Sequence, residues 1–352
     1  MENTTETTNQ IKVKWRCPSN IAVVKYWGKK PIQIPCNSSI SLTLNNSYTE
    51  VKAQLHEKTT LEPVELNYYF EGELNEKFGK RVADYLADNI EHFPFLRIAA
   101  VTIHSTNSFP HSAGIASSAS AFGAIALAML DIAYQLAEKE LDDNFYNEAS
   151  RLARLGSGSA CRSVYPSFAV WGENDKIEGS SDDYAIEITN IHPIFKNMRD
   201  AILIIEDEPK KVSSTIGHSL MNDHPFADQR FDQANERTAK MVKILEEGDI
   251  DSFIQICESD ALTLHAMMMT SSDYYLLVKP GTITAIEKIM QWRLEHMVPV
   301  CFTLDAGPNV HVLYPDKYRE TVEDFINTEL KDTYKKVIFD HEGEGPQKLN
   351  ID

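Results

Sequence analysis

Pro110-His111-Ser112-Ala113-Gly114-Ile115-Ala116-Ser117-Ser118-Ala119-Ser120-Ala121 is a run of small and hydroxyl-bearing residues that opens a helix. The apolar, alanine-rich stretch from Phe122 to about Ala137 continues it. A helix start presents unpaired N–H groups carrying partial positive charge, and side chains this small let a ligand approach the backbone. Such a surface suits phosphate. A second loop of the same kind, Gly156-Ser157-Gly158-Ser159-Ala160-Cys161-Arg162, ends in a fixed cation. Together the two loops predict a protein that handles two phosphate-bearing ligands. Taken singly, each also reads as a tight turn whose small residues serve close packing. The first lacks the spacing of a Walker loop and carries no lysine. A phosphate there would be held by backbone amides and by Ser117 and Ser118.

The chain has 352 residues, 43% of them hydrophobic, enough for a large core and more in keeping with two domains than one. Its net charge of −18 argues against broad binding to nucleic acid or to an anionic membrane. An anionic substrate then needs a local basic pocket, which draws attention to Lys25, Lys29, Lys30 and Arg162. The five cysteines are scattered and form no C-x-x-C pair, so free buried thiols in a reducing cytoplasm are expected. Residues 1–10 are polar, without the apolar core of a signal peptide, and are expected to be a frayed tail. The apolar run Ala119–Ala137 is interrupted by Asp131 and Gln135, short of an uninterrupted membrane span. The expectation is a soluble cytoplasmic protein with no membrane segment.

Alternation predicts strands at Lys12–Arg16, Ser38–Leu44, Tyr48–Leu55, Ala99–His104 and Ser167–Trp171. Helical spacing predicts Phe78–His92 and Tyr146–Leu155. Glu173–Asp183 is a polar turn, and a domain boundary is expected near 185–195. Beyond it, Ala201–Glu206, Pro299–Leu304, Val310–Tyr314 and Lys336–Asp340 read as strands. Ala227–Glu247, Ile250–Met269, Thr282–His296 and Lys317–Leu330 read as helices. Strands are grouped rather than strictly alternating with helices, which makes the class α+β. The division expected is 12–190 and 191–345.

Several single residues invite two readings. Lys25 and Lys29 flank Tyr26-Trp27 after an apolar strand, as a cation pair for phosphate or as two solvated lysines. Arg162 can grip a carboxylate or phosphate with its fork, or sit on the surface. Asp305 ends an apolar strand before Ala-Gly-Pro-Asn, as a turn former or as a carboxylate facing a cleft. Val212-Ser213-Ser214-Thr215 either donates hydroxyls to a ligand or caps a helix. His265 reads as a structural histidine among Leu262, Met268 and Met269.

The segments Asn20–Lys29, Asn37–Leu44, Ser108–Ala119, Gly156–Ser163, Val212–Thr215 and Asp305–Asn309 together resemble the mevalonate diphosphate decarboxylases of the GHMP kinase superfamily. They occur in the family's order and cover most of the chain. The resemblance implies an N-terminal α/β domain of the ribosomal-protein-domain-2-like type and a ferredoxin-like C-terminal domain, with the active site in the cleft between them. It implies ATP-dependent decarboxylation of 5-diphosphomevalonate to isopentenyl diphosphate, with magnesium accompanying ATP and a homodimeric assembly.

By the same resemblance, Asp305 orients or deprotonates the substrate's 3-hydroxyl, Arg162 holds its carboxylate with support from Asn20, and Lys25 stabilises the transferred phosphoryl group. Tyr26, Lys29, Ser157 and Ser159 bind the substrate diphosphate. Lys77 stands about where many members carry an arginine for the same purpose. Pro110, Gly114, Ala116, Ser117 and Ser118 hold the ATP phosphates, with Ser214 close by. No metal ligands are readable. A phosphomevalonate decarboxylase, a mevalonate 3-kinase and a non-catalytic homologue are the alternative readings. The intact set of Lys25, Arg162 and Asp305 weighs against the last two.

Overall fold

A computed structural model describes residues 11–109, 117–208 and 214–351. The first half is built on one large sheet. Its strands are β1 (Lys12–Val24), β4 (Ser39–Glu57), β5 (Leu66–Phe70), β6 (Glu73–Leu74), β7 (Ala99–Asn107), β8 (Phe168–Trp171) and β9 (Ala185–Glu187). The short pair β2 (Lys29–Lys30) and β3 (Ile34–Pro35) forms a separate hairpin. The second half contributes β10 (Arg199–Ile204), β11 (Cys301–Leu304), β12 (Val310–Tyr314) and β13 (Lys336–His341), and the chain ends with β14 (Gln347–Lys348). The large sheet runs β14-β1-β4-β7-β5-β6, with β8 and β9 added alongside β4. Its pairings are antiparallel except β5 with β7.

The second sheet runs β11-β12-β10-β13, all antiparallel. Three long helices, Ala227–Glu247, Ile250–Thr270 and Pro280–His296, lie between β10 and β11, and Arg319–Thr328 lies between β12 and β13. That order of strands and helices is the ferredoxin-like arrangement. The fold is therefore α+β in two halves, and the last strand returns to the first sheet: Trp15 pairs with Lys348 and Arg16 with Gln347.

The Ser117–Leu136 helix is apolar on every side because it is buried on nearly every side, which is where such a helix belongs. It is the one helix among the described residues long and apolar enough to cross a membrane, and most of it is enclosed by protein. Asp131, fully buried within it, accepts hydrogen bonds from Trp15 Nε1 (2.8 Å), Gln135 Nε2 (3.0 Å) and Lys348 Nζ (2.9 Å). The charge that interrupts the apolar run is therefore compensated, and it anchors the returning tail. A second core joins the halves: Ile21, Leu42 and Phe168 of the first sheet share a cluster with Ile202, Phe253 and Leu313.

Three expectations are corrected. Ser38–Leu44 and Tyr48–Leu55 are one strand, β4, because the Asn45 and Asn46 amides between them are satisfied by Asp340 Oδ1 at 3.0 and 2.7 Å. Gly156–Arg162 is not a loop. Gly156 closes the Asp143–Gly156 helix, and Gly158–Val164 is a buried 3₁₀ turn. The parallel strand β5 has no clear alternation and went unread. Among the other boundaries, the helix expected at Phe78–His92 is Glu76–Asp88, begun by Asn75, whose side chain accepts from Phe78 N at 3.0 Å.

Close packing rests on glycine at Gly123, where a Cβ would stand 2.5 Å from Cys17 Sγ. Gly123→Ala is expected to lower unfolding stability by about 1–2 kcal/mol, because overpacking outweighs the gain in helix propensity. Chemical denaturation of this variant and of Cys17→Ala/Gly123→Ala checks it. The double variant should recover most of the loss.

Candidate active site

Lys25 follows the last residue of β1 and is only 2% exposed. Its Nζ donates to Ala22 O at 2.6 Å and to Asp305 Oδ1 at 3.2 Å. Asp305 follows β11, so this ion pair joins a strand end of the first half to a strand end of the second. The turn after Asp305 is held by Gly307 N, which donates to Asp305 O at 2.7 Å. His265 Nε2 lies 3.0 Å from the same oxygen, and since a carbonyl only accepts, that nitrogen carries the proton. His265 is therefore structural in a specific way, orienting the backbone that presents the carboxylate.

Arg162 lies in the 3₁₀ turn and is as buried as Lys25. Nε donates to Ser41 Oγ (2.9 Å), Nη1 to Ser39 Oγ (2.5 Å) and Nη2 to Asn20 Oδ1 (3.4 Å). Asn20 is fixed in turn through Nδ2, which donates to Ser163 Oγ (2.8 Å) and Ser159 O (3.2 Å). Among the described residues, Arg162's hydrogen-bond partners are all neutral. Burial lowers its pKa, and the charge on Asp305 counts among the influences that raise it again. A buried guanidinium supported by hydroxyls keeps an unspent positive charge for an anion entering beside it.

Tyr26 packs edge-on against Trp171, with centroids 4.7 Å apart, and its buried hydroxyl has no hydrogen-bond partner among the described residues. Burial is also the main cause pushing that phenol's pKa upward. Gly158 permits this contact, since a Cβ there would meet Trp171 at 2.8 Å and the Tyr26 hydroxyl at 3.1 Å. Lys29, half-buried, donates to Gln33 Oε1 at 3.1 Å. Its ammonium pKa is lowered first by burial and then by the charge of Arg81.

Arg81 is a cation near these residues that the sequence reading did not single out. Its Nη2 donates to Gly156 O at 3.1 Å, and its guanidinium lies 4.7 Å over the Phe122 ring. Lys77, one turn earlier on the same face, is exposed, as is part of Arg81. The fold thus gives Arg81 contacts with the Gly156 carbonyl and the Phe122 ring beside the second small-residue segment. The signal was present: Phe78, Arg81, Val82 and Tyr85 share one helical face.

Ser118 Oγ lies 3.3 Å from Ser157 Oγ, which joins the first small-residue segment to the second. Ser117 begins the helix beside it, and Ser159 is half-buried in the 3₁₀ turn. Pro110, Gly114 and Ala116 lie outside the described residues. Ser214 begins the short helix Ser214–Ser219, and its side chain is likewise not described.

Four of the five cysteines are buried, and burial pushes the Cys161 thiol up to about 12, so the thiol beside Arg162 is inert. Among the described residues, no group of three or more His, Cys, Asp or Glu could enclose a metal ion.

Comparisons with known proteins agree with this geometry. Residues 17–185 match the model of the diphosphomevalonate decarboxylase-like N-terminal domain, and 201–349 that of the mevalonate 5-diphosphate decarboxylase C-terminal domain. The diphosphomevalonate decarboxylase of Candida albicans is 30% identical over 87% of this chain and 84% of its own. The crystal structure of mevalonate diphosphate decarboxylase from Staphylococcus aureus superposes with a TM-score of 0.83 at 29% identity, covering 96% of this chain and 98% of that one. A protein designated MDDEF, solved in complex with MVAPP, AMPPCP and magnesium, gives a TM-score of 0.81 at 28% identity, with 97% and 99% covered.

His218, in the Ser214–Ser219 helix, generates a test of its own. Its ring lies 4.4 Å from Tyr26 and 4.6 Å from Trp27, and its Nδ1 accepts from Gly28 N at 3.0 Å. Burial, and next the charge of Lys29, lower its pKa to about 3 from a reference of 6.5. The unfolded chain therefore binds this proton first as pH falls. The stability tied to neutral His218 is complete above pH 6.5 and is lost progressively between 6.5 and 3. At pH 5 the loss from this residue should be about 2 kcal/mol relative to pH 7. Denaturant titrations at both pH values check it: His218→Phe should show a correspondingly smaller difference between them.

Proposed function

The chain belongs to the diphosphomevalonate decarboxylase family, and from that premise we propose which of its residues carry the reaction. The activity is the ATP-dependent decarboxylation of (R)-5-diphosphomevalonate to isopentenyl diphosphate, releasing ADP, phosphate and carbon dioxide. The observation that carries the assignment is the Lys25–Asp305 pair at the seam of the two halves, with a buried Arg162 close enough for the charge of Asp305 to act on it and, among the described residues, no anionic hydrogen-bond partner of its own.

The substrate's 3-hydroxyl is tertiary and a poor leaving group. Asp305 orients it and takes up its proton as its oxygen attacks the γ-phosphorus of ATP and the bond to ADP breaks. Lys25 stabilises the negative charge spread over the transferred phosphoryl group. The C3–O bond then breaks with its electron pair leaving on phosphate, and C3 becomes cationic in character. Arg162, steadied by Asn20, holds the carboxylate so that the C1–C2 bond lies over that centre. Its electrons form the new C2–C3 double bond, and carbon dioxide departs.

Tyr26, Lys29, Ser157, Ser159 and Arg81 bind the diphosphate. The two cations that fold into one neighbourhood, Lys29 and Arg81, each lower in pKa than usual, are paired by its charge. Pro110, Gly114, Ala116, Ser117, Ser118 and Ser214 belong to the ATP phosphates. Magnesium fits such a site without an acidic cage, because it takes most of its ligands from phosphate and water and needs one or two protein oxygens. The half-buried hydroxyls of Ser117 and Ser118 would be the protein oxygens to hold it, and the bound ion would neutralise phosphate charge. We place the division of the halves at 190/191, and read the protein as a cytoplasmic homodimer on the strength of the family resemblance and its acidic balance.

Carbon dioxide release from 5-diphosphomevalonate should require ATP, and turnover of 5-phosphomevalonate or mevalonate should be far slower. Good activity on either, with none on the diphosphate, would reassign the substrate. Asp305→Asn and Arg162→Gln should each reduce kcat by about 100-fold or more while the nucleotide still binds. Arg81→Gln should raise KM for the diphosphate about tenfold with little change in kcat, as expected for loss of uniform binding.

A further inference from the structure

Asp260 lies in the middle of the Ile250–Thr270 helix with no exposed surface. Its Oδ2 accepts from the backbone N–H of Lys25 at 2.7 Å and from Arg230 Nη2 at 3.0 Å. Its Oδ1 accepts from Arg230 Nη1 at 2.9 Å and Arg237 Nη1 at 3.0 Å. Arg230, in the Ala227–Glu247 helix, is also buried, and its Nη2 reaches Lys25 O at 3.5 Å. Asn37 Nδ2 donates to the same carbonyl at 3.0 Å. Lys25 is thus held at both backbone polar groups, and the holders of its N–H come from the second half of the chain.

Two physical arguments give this arrangement a purpose. β1 ends at Val24, so the buried N–H of Lys25 has no ladder partner in β4, and leaving such a group unpaired would cost about 1–3 kcal/mol. A buried ion pair, moreover, is a poor way to gain stability, since apolar residues of equal volume often do as well or better. What the pair supplies is position. Lys25 Nζ must meet a carboxylate that belongs to the other half, and Asp260 ties the Lys25 backbone to that same half.

We propose that Asp260, oriented by Arg230, is a positioning residue of the reaction, setting Lys25 in register with Asp305. The proposal rests on the reading of Lys25 as a catalytic residue. Asp260 acts on where Lys25 stands, not on how the ligands bind, so its loss should appear in kcat and leave KM alone.

The test replaces the pair with apolar residues of similar volume, Asp260→Leu/Arg230→Met, and compares it with Asp260→Asn/Arg230→Met, which restores an acceptor for the Lys25 N–H. The first should still fold cooperatively, with a melting temperature lowered by only several degrees, keep both KM values within about threefold and lose about 100-fold in kcat, the scale of a misplaced catalytic group. The second should recover most of that loss. Added to Lys25→Met, the Leu/Met change should reduce kcat no further, because it acts through the residue already removed.

A normal kcat in the Leu/Met variant beside an impaired Lys25→Met overturns the positioning role alone. Losses that add in the triple variant overturn it as well. Normal turnover by Lys25→Met overturns the catalytic reading of Lys25 and the proposal with it. Should the Leu/Met variant not fold, the smaller Asp260→Ala/Arg230→Met change, which also removes the acceptor, takes its place: a kcat well below that of the Asn/Met variant with both KM values unchanged supports the role, and equal kcat values in the two refute it.

Discussion

The burial of positive charge in a chain of net charge −18 is the constraint around which this molecule is organised. Lys25, Arg162 and Arg230 are each at most 3% exposed, and each is satisfied differently. Arg230 has a full carboxylate partner in Asp260, and its charge is spent inside the protein. Lys25 shares its proton donors between the carbonyl of Ala22 and the carboxylate of Asp305, which is itself open to the cleft. Arg162, among the described residues, has only hydroxyls and an amide. That gradation sets Arg230 apart from the two cations proposed to take part in the reaction: the less completely a buried cation is neutralised, the more strongly it attracts an incoming anion.

The cleft works because elements from distant parts of the chain converge on it. β1 and the 3₁₀ turn bring Lys25, Asn20 and Arg162 together, and β11 brings Asp305. The two halves are held in register by the shared apolar cluster around Phe168 and Phe253 and by the polar contacts of Asp260. Glycine enables the closest approaches. A Cβ at Gly156 would lie 2.0 Å from the Phe122 ring, on which Arg81 rests, so the small residue admits the neighbouring helix. At Gly156 the packing interpretation is the one the structure shows.

Much of the fold was legible because periodicity is a local property. Ala227–Glu247 and Val310–Tyr314 have the bounds that their apolar spacing implied, and the helix from Ser117 followed from its composition. Where reading failed, a distant partner had overridden local preference. Asn45-Asn46 resembles a turn but continues a strand because Asp340, nearly three hundred residues later, accepts both amides. Lys77 and Arg81 stand one helical turn apart on the same face, both with exposed surface, and only tertiary packing gives Arg81 the Phe122 ring and the Gly156 carbonyl as partners.

Residue type and order were enough to bring Lys25, Arg162 and Asp305 forward and to indicate a family, because the chemistry of phosphate and carboxylate demands particular side chains. They carried no information on which buried charge would be neutralised. Asp260 and Arg230 are unremarkable helical residues in the sequence. Only tertiary structure places the Asp260 carboxylate 2.7 Å from the Lys25 amide and leaves Arg162 with neutral partners. The reason is physical: a charged group's role depends on its desolvation and on the partner within a few ångströms, and both are set by elements far apart along the chain.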